Sequence, residues 1–471
     1  MIEEVRALRA PASLVRISPE TDVPLTPRLR RLLDTAAMRR LSGISQLGLV
    51  RLVYPGATHS RLEHSLGVLR NALLFLQQLF PDDASSPAEA SPPSLTPRQA
   101  EAFVLAAFLH DLGHWPFCHL LEELEVDDVP RHEQRARELI EGEEIADLLA
   151  ADWQCYPDDV LTLLTRPLEV PPEVPPAGPP ATRQRAAEAW AEQLLASLLS
   201  GPIDVDKMDY LVRDSLHAGV PYGRNFDANR LIGSLCIHPG EPRVAVTAKG
   251  RTAAEMMVFA RYVMFSEVYW HHSVRSATAM LQRSLFLLRH RLDLPTLNRL
   301  DESGWVARVR RMAEGTLAEP LVEGIFGPRR LLWKRVAEFN QQEQPALHAS
   351  LARRPYRWLV RCSEAVAERL SRQLGVPLTA ADVLIDAPPV GLAVDVDVAV
   401  VSRQGDVRPL ATVSPVVDAL AHHQFDNFVK RVRVFVRPEI RAFLPDGSLS
   451  PALLREAVEA VEANDPSDPG A

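Results

Sequence analysis

A histidine and an aspartate stand side by side at the end of an apolar segment. His110 and Asp111 follow residues 103–109, which read FVLAAFL and which we predict to form a buried helix. A charged carboxylate is costly to bury in such surroundings unless a group of opposite charge pairs with it. A divalent metal ion is the obvious partner, and we therefore expect other segments to supply further ligands.

Two predicted helices elsewhere in the chain carry the missing types of ligand. Arg61 and His64 are three residues apart, so both side chains can point to one place. Asp206 is followed by Tyr210 and Asp214 at intervals of four residues, which again puts them on one helix face. Together with the histidine–aspartate pair, the chain offers two imidazoles and two carboxylates from three helices. Such a mixed set of nitrogen and oxygen ligands suits a catalytic metal better than a closed structural site.

Five ordered segments resemble the HD-domain phosphohydrolases, and more narrowly the dGTPase-like dNTP triphosphohydrolases of that superfamily. The resemblance extends over roughly residues 12–290 and more faintly to 440. The segments are QLG at 46–48, YPGATHSRLEHSLG at 54–67, HDLGHWPFCH at 110–119, HE at 132–133 and DVDKMDYLVRDSLHAGV at 204–220.

The resemblance implies a metal-dependent enzyme with one resident divalent ion, which could be Mn, Fe, Mg, Co, Ni or Zn. It also allows an additional Mg²⁺ that accompanies the triphosphate. The implied metal ligands are His64, His110, Asp111 and Asp206.

The resemblance further implies which residues act on the substrate. Arg61, Lys207 and Arg261 are expected to clamp the triphosphate, as several cations suit three phosphates. The expected catalytic positions, for phosphate contact, proton transfer or positioning of the attacking water, are Arg61, His114, His119, His132 and Glu133.

The sugar and base contacts implied by the family lie in three segments. Gln46 and Leu47 would form the wall that rejects a 2′-hydroxyl, although Gln46 could equally be only a turn residue. Trp270 stands where a polar base-reading residue is expected. His59 is predicted to be structural and not a ligand. The remaining contacts are Tyr210 and Asp214 to the sugar, with Asp214 on the 3′-hydroxyl, Tyr269 stacked on sugar and base, and His271 nearby.

The composition is that of a globular protein without a membrane span. Of 471 residues, 24% are charged and the net charge is −9, which disfavours general coating of nucleic acid but leaves a local basic patch at residues 430–441 open. The acidic start MIEEVRALRAP lacks the features of a signal peptide. The four cysteines are scattered, so we expect a cytoplasmic protein without disulfides.

The pattern of elements predicts a mainly α protein with an HD-domain helical core and a smaller α+β C-terminal region. We predict an HD domain over residues 1–295 and a C-terminal region, oligomeric or regulatory, over 296–471. The predicted elements are helices over 60–79, 133–150, 183–200 and 204–217, a helix that Thr96 caps, one or two helices over 253–291, helical structure over 300–382, strands at 241–248 and 432–436, a hairpin over 393–415, and proline-rich loops at 81–97 and 166–182.

The leading functional hypothesis is hydrolysis of dNTPs to deoxynucleoside and triphosphate, in a setting that lowers dNTP levels or opposes phage. The resemblance suggests a homo-oligomer, either a dimer or a tetramer. Two alternatives stay open at this point. The first is an HD phosphohydrolase for another phosphoester, such as a nucleoside monophosphate, a signalling nucleotide or an oligonucleotide. The second is a nucleic-acid-binding or nucleotide-binding protein whose catalysis is vestigial.

Overall fold

The protein is built mainly from helices. The computed structural model describes residues 2–81, 95–124, 131–166, 180–387, 397–421, 429 and 431–464. The helices are α1 Glu3–Ala7, α2 Pro27–Leu33, α3 Ala36–Arg40, α4 Arg61–Leu79, α5 Pro97–Leu109, α6 Cys118–Glu122, α7 His132–Ile140, α8 Glu143–Asp152, α9 Pro157–Thr165, α10 Pro180–Ser200, α11 Val205–Ala218, α12 Ala228–Ile232, α13 Arg251–Val263, α14 His272–Leu288, α15 Leu294–Leu297, α16 Glu302–Ala313, α17 Glu319–Phe326, α18 Pro345–Leu351, α19 Tyr356–Leu374, α20 Leu410–Val413, α21 Pro415–Ala419, α22 Pro438–Arg441 and α23 Pro451–Glu462.

The described strands form three small sheets. Strands β1 and β2 form an antiparallel pair, β3-β4-β7-β8 form a mixed sheet in that order, and β5-β9-β6 form an antiparallel sheet. The strands are β1 Leu14–Ile17, β2 Thr21–Pro24, β3 Leu235–Ile237, β4 Val244–Thr247, β5 Lys334–Phe339, β6 Val383–Asp386, β7 Ala399–Val401, β8 Val407–Pro409 and β9 Val432–Val436.

The helices that carry the candidate ligands begin at capping residues. Ser60 accepts a hydrogen bond from the backbone of Glu63 and starts α4, and Asp204 does the same for Lys207 at the start of α11. Thr96 forms a capping box with Gln99 before Pro97, the first residue of α5. Each cap satisfies an amide that the helix cannot pair internally. The capping prediction for α5 is therefore confirmed.

Helix α5 lies at the centre of the first hydrophobic core. Its last seven residues, 103–109, are fully buried, as the apolar run predicts. Helices α4, α9 and α10 pack against α5, and α11 packs on the opposite part of α4. The three helices of the candidate ligands therefore meet inside one core. The mainly α fold with a smaller sheet-containing C-terminal region is confirmed.

Trp115 belongs to a second hydrophobic core. Its side chain is fully buried in a cluster that includes Trp305 of α16 and Val322 of α17. The ring of Phe117, two residues on, lies 5.0 Å from that of Trp305. Trp115 thus packs the HDLGHWPFCH segment against α16 and α17.

Several predicted elements differ from the structure. The helix predicted over 133–150 is interrupted between α7 and α8 at Gly142. Residues 300–382 are not all helical, because they include strand β5, which pairs with β9 further along the chain. The 253–291 stretch forms two helices, α13 and α14, joined by the π-helical turn Met264–Tyr269.

The C-terminal hairpin and strand are confirmed where the structure describes them. Strands β7 and β8 pair around residues 402–406, and β7 also pairs in parallel with β4 across the predicted domain boundary at 295. That boundary stays a prediction. Residues 82–94 and 167–179 of the proline-rich loops, part of the predicted hairpin at 393–396, and Lys430 of the basic segment lie outside the described residues.

A buried ion pair joins the C-terminal sheet to α14. Arg275 donates to both carboxylate oxygens of Asp386 in β6, at 3.0 and 2.5 Å. The guanidinium also stands 4.6 Å from the ring centre of Trp270, which is buried beside Val429. Trp270 is therefore a packing residue.

We expect Arg275→Met to destabilise the protein by roughly 3–5 kcal/mol, because it leaves Asp386 buried without its counter-charge. Urea denaturation followed by circular dichroism measures the free energy of unfolding. Arg16→Met is the matched control, since Arg16 and Asp22 form an exposed ion pair and little change is expected. Equal losses in the two variants would contradict the prediction.

Candidate metal centre and phosphohydrolase site

Side chains from three helices converge at the predicted metal position. The Nε2 atoms of His64 on α4 and His110 at the end of α5 are 3.2 Å apart. An oxygen of Asp206 on α11 lies 3.0 Å from the former and 3.9 Å from the latter. An oxygen of Asp111 is 3.4 Å from His110 Nε2. The structure thus brings three of the four predicted ligands, His64, His110 and Asp206, into one cluster and places Asp111 beside His110.

The ring orientations of the two histidines fit a metal ion. His64 Nδ1 lies 2.9 Å from a carboxylate oxygen of Asp209, and His110 Nδ1 lies 2.9 Å from the carbonyl oxygen of Ala107. Both partners are acceptors, so each Nδ1 carries the hydrogen. Each Nε2 is therefore the atom available to a metal, and both lie within 4 Å of the same Asp206 oxygen. This donor set suits a divalent ion bound by mixed nitrogen and oxygen ligands.

His64 carries a proton that a metal ion would replace. Burial lowers the pKa of His64, but the hydrogen bonds and charges of Asp206 and Asp209 outweigh it and raise this pKa to about 10. A cation at the centre takes over the role of that proton between imidazole and carboxylates.

Asp209 is a supporting residue that the sequence reasoning missed. It also accepts two hydrogen bonds from Arg213, at 2.8 and 2.7 Å. Gly67 leaves room for it, because a Cβ there would lie 1.8 Å from an Asp209 oxygen. The signal in the sequence was its spacing, three residues after Asp206 on the same helix.

Arg61 lies beside the metal ligands. Its Nη1 donates to Asp111 at 2.7 Å, whereas its buried Nε has no hydrogen-bond partner among the described residues. Burial raises the pKa of Asp111, but the surrounding histidines and the positive charge of Arg61 hold this pKa well below its usual range. Asp111 therefore stays ionised, and the guanidinium keeps a donor for an oxyanion.

Three further histidines form a cluster next to this centre. The Nε2 atoms of His114 and His119 are 3.2 Å apart. Glu122 lies 3.1 Å from His119 Nδ1 and 2.8 Å from His132 Nδ1, and it is a second residue that the sequence reasoning missed. Its signal was the spacing of three from His119. Glu133 lies 3.5 Å from His132 Nε2. The three imidazoles are also close enough together to hold a metal ion. They do not suit the additional Mg²⁺ that the resemblance allows, because Mg²⁺ prefers oxygen ligands.

The environment gives these histidines different protonation. Burial and the charge of Arg61 hold the pKa of His114 well below its usual value. Burial also lowers the pKa of His132, but Glu122 outweighs it and the pKa is raised. One imidazole is thus kept neutral beside another that favours its charged form, which is an arrangement suited to proton transfer.

Tyr210, Asp214 and Tyr269 lie together on the sugar side predicted for the site. Tyr269 donates to Asp214 at 2.6 Å, and its ring centre is 6.4 Å from that of Tyr210. The π-helical turn that ends at Tyr269 presents this side chain to α11. The backbone amide of Gln46 donates to the carbonyl oxygen of His59. The side-chain oxygen of Gln46 is buried and has no hydrogen-bond partner among the described residues.

Four other residues predicted to bind the substrate have partners within the protein. Lys207 donates to Asp204 and to the carbonyl of Gly201 and is not directed to the metal ligands. His271 caps α14 through Ser273. Arg261 stands 5.9 Å from the ring centre of Phe265, and Leu47 packs against the first core. The substrate roles of these residues stay predictions.

The family comparisons identify the class of protein. The HD domain family matches residues 61–181, and the HD associated region matches residues 226–444. The chain belongs to the HD-domain family and is a metal-dependent phosphohydrolase. No helix within the described residues is long and apolar enough to cross a membrane.

Individual relatives are similar over parts of the chain. An uncharacterized protein of Methanocaldococcus jannaschii is 26% identical over 86% of this chain and 76% of its own length. The uncharacterized protein YwfO of Bacillus subtilis is 32% identical over 54% of this chain, which spans only half of YwfO. The deoxynucleoside triphosphate triphosphohydrolase SAMHD1 of Mus musculus is 31% identical over 44% of this chain and 31% of its own length.

Solved structures share the fold over almost the whole chain. A hypothetical protein from Aquifex aeolicus superposes with a TM-score of 0.65 at 24% identity, covering 95% of this chain and 99% of its own. A phosphohydrolase from Bacteroides thetaiotaomicron gives a TM-score of 0.65 at 21% identity, covering 90% and 100%.

We expect Asp209→Asn to weaken metal binding by roughly 10- to 100-fold, because the amide no longer supplies the charge that orients and polarises His64. Metal titration of the purified, chelator-treated protein by calorimetry measures the affinity. Asp158→Asn is the control, since Asp158 is an exposed carboxylate of α9. Unchanged affinity in Asp209→Asn would contradict the supporting role of Asp209.

Proposed function

We propose that the protein hydrolyses deoxynucleoside triphosphates to deoxynucleoside and inorganic triphosphate. The observation that carries the proposal is the face of α11. Asp206 reaches the metal centre, Tyr210 follows one turn later, and Asp214 follows after another turn, roughly 12 Å along the helix from Asp206 at 1.5 Å per residue. A phosphate at the metal and a sugar hydroxyl at Asp214 would be read by one rigid element. The SAMHD1 relatives are deoxynucleoside triphosphate triphosphohydrolases, which supports the same substrate class.

The phosphate end of the reaction is assigned to the metal centre and Arg61. A bound divalent ion would polarise the α-phosphate and lower the pKa of a bound water. Arg61, held by Asp111, offers its remaining donors to a phosphate oxygen, where charge-assisted hydrogen bonds are strong. The water oxygen attacks the α-phosphorus, and the bond from phosphorus to the 5′-oxygen breaks.

The departing 5′-oxygen needs a proton, and we assign its donation to His119. His114 Nδ1 faces the carbonyl and carboxylate oxygens of Asp111, so a neutral His114 presents an unprotonated Nε2 to His119. His119 Nε2 therefore has an acceptor in His114, and His119 Nδ1 faces a second acceptor in Glu122. An imidazole placed between two acceptors is suited to act as a general acid.

A homo-oligomer remains part of the proposal. Lys207 and Arg261 remain candidates for binding the triphosphate. Lys207 would have to leave Asp204 to reach a phosphate, and a bound polyanion supplies a competing acceptor for that ammonium. An additional Mg²⁺ would draw its oxygen ligands from the phosphates themselves.

The product identifies the reaction. We expect purified protein, supplied with Mn²⁺, Mg²⁺, Fe²⁺ or Co²⁺ and each dNTP or a dNTP mixture, to release deoxynucleoside and triphosphate in equal amounts, as measured by chromatography. His110→Ala should abolish release, whereas His290→Ala, an exposed histidine, should not. Orthophosphate as the product would favour another phosphoester, and no release under any condition would refute the proposal.

We expect His119→Ala to lower kcat by roughly 10²- to 10⁴-fold with little change in KM, because a general acid acts in the transition state. Steady-state kinetics with a dNTP measure both constants. His348→Ala, a histidine of α18 in the C-terminal region, is the control. A rise in KM with unchanged kcat would instead assign His119 to substrate binding.

A further inference from the structure

Asp214 is held from both sides by buried donors. One carboxylate oxygen lies 2.9 Å from His59 Nε2, and the other accepts from the Tyr269 hydroxyl at 2.6 Å. Asp214 and His59 are almost fully buried, with side-chain exposures of 3% and 0%. Because a carboxylate can only accept, both partners donate. The position and orientation of this carboxylate are thus fixed by two side chains from outside α11.

His59 is itself clamped in one orientation. It lies in the loop before α4, and its backbone carbonyl accepts from the amide of Gln46. Its ring is stacked on that of His217, with ring centres 4.4 Å apart. His217 is held in turn by Glu63 at 3.3 Å. His59 Nδ1 has no hydrogen-bond partner among the described residues, so the bond to Asp214 is the single polar contact of this ring there.

We infer that His59 is a positioning residue that makes the site selective for a sugar with a free 3′-hydroxyl. The inference rests on the proposed function, in which Asp214 contacts this hydroxyl. With one lone pair on each oxygen already engaged, Asp214 offers its remaining lone pairs along fixed directions. A hydroxyl can donate to them, whereas an acceptor or a 3′-phosphate would be repelled.

Matched variants of His59 distinguish its hydrogen bond to Asp214 from its packing on His217. His59→Phe keeps an aromatic ring on His217 but cannot donate to Asp214, and His59→Leu is a second non-donating variant if the phenyl ring impairs folding. His59→Gln keeps a donor. His238→Phe is the control, because His238 is a buried histidine in the loop between β3 and β4 that bonds to Gly240.

The experiment compares 2′-deoxy with 2′,3′-dideoxy nucleotides. For each variant, kcat/KM is measured with both triphosphates, and equilibrium binding is measured with the corresponding nucleosides. We expect wild type and His238→Phe to prefer the 3′-hydroxyl by roughly 10- to 100-fold, as for a hydrogen bond to a charged group. The preference should fall towards one in His59→Phe and His59→Leu and persist in His59→Gln.

A purely structural His59 would give a different result. Both nucleotides would lose activity in parallel, the preference would stay at its wild-type value, and the inference would be overturned. A wild-type protein that shows no preference would overturn it as well. If wild type releases no triphosphate from any dNTP, the proposed function fails, and the binding preference for the nucleosides alone decides the role of His59.

Discussion

The need to compensate buried charge at the end of α5 governs the structure around the site. Asp111 and two imidazoles converge with Asp206 where three helices meet, beside a large core of apolar side chains. Such groups are stable there only with a proton or a metal ion between them. The surrounding carboxylates and carbonyls, such as Asp209 and Ala107, fix the rings so that this position is shared.

Side-chain contacts extend from the candidate metal centre to Asp214 without a break. His64 bonds to Asp209, which pairs with Arg213, and Arg213 donates to Glu63. Glu63 holds a histidine that stacks on His59, the donor to the sugar-side carboxylate. Helices α4 and α11 therefore share one polar seam. Both ends of this seam are positioned by the packing of these two helices.

The C-terminal region also stabilises the walls of the site. Arg275 joins β6 to α14 and contacts Trp270, the neighbour of Tyr269. Trp115 packs into the core formed with α16 and α17, directly after the histidine–aspartate pair. The pairing of β4 with β7 adds a third connection between the two parts of the chain. Changes in the C-terminal region can therefore reach the site through packed side chains.

The sequence by itself predicted the helix starts, the buried run of α5 and a set of four metal ligands, because caps, periodicity and short motifs are local properties. Only the tertiary structure decided which residues support them. Asp209, Glu122 and His59 acquire their roles from segments far away in the chain, and spacing alone does not report such distances. The partners of Trp270 and Lys207 are likewise set by how the helices pack.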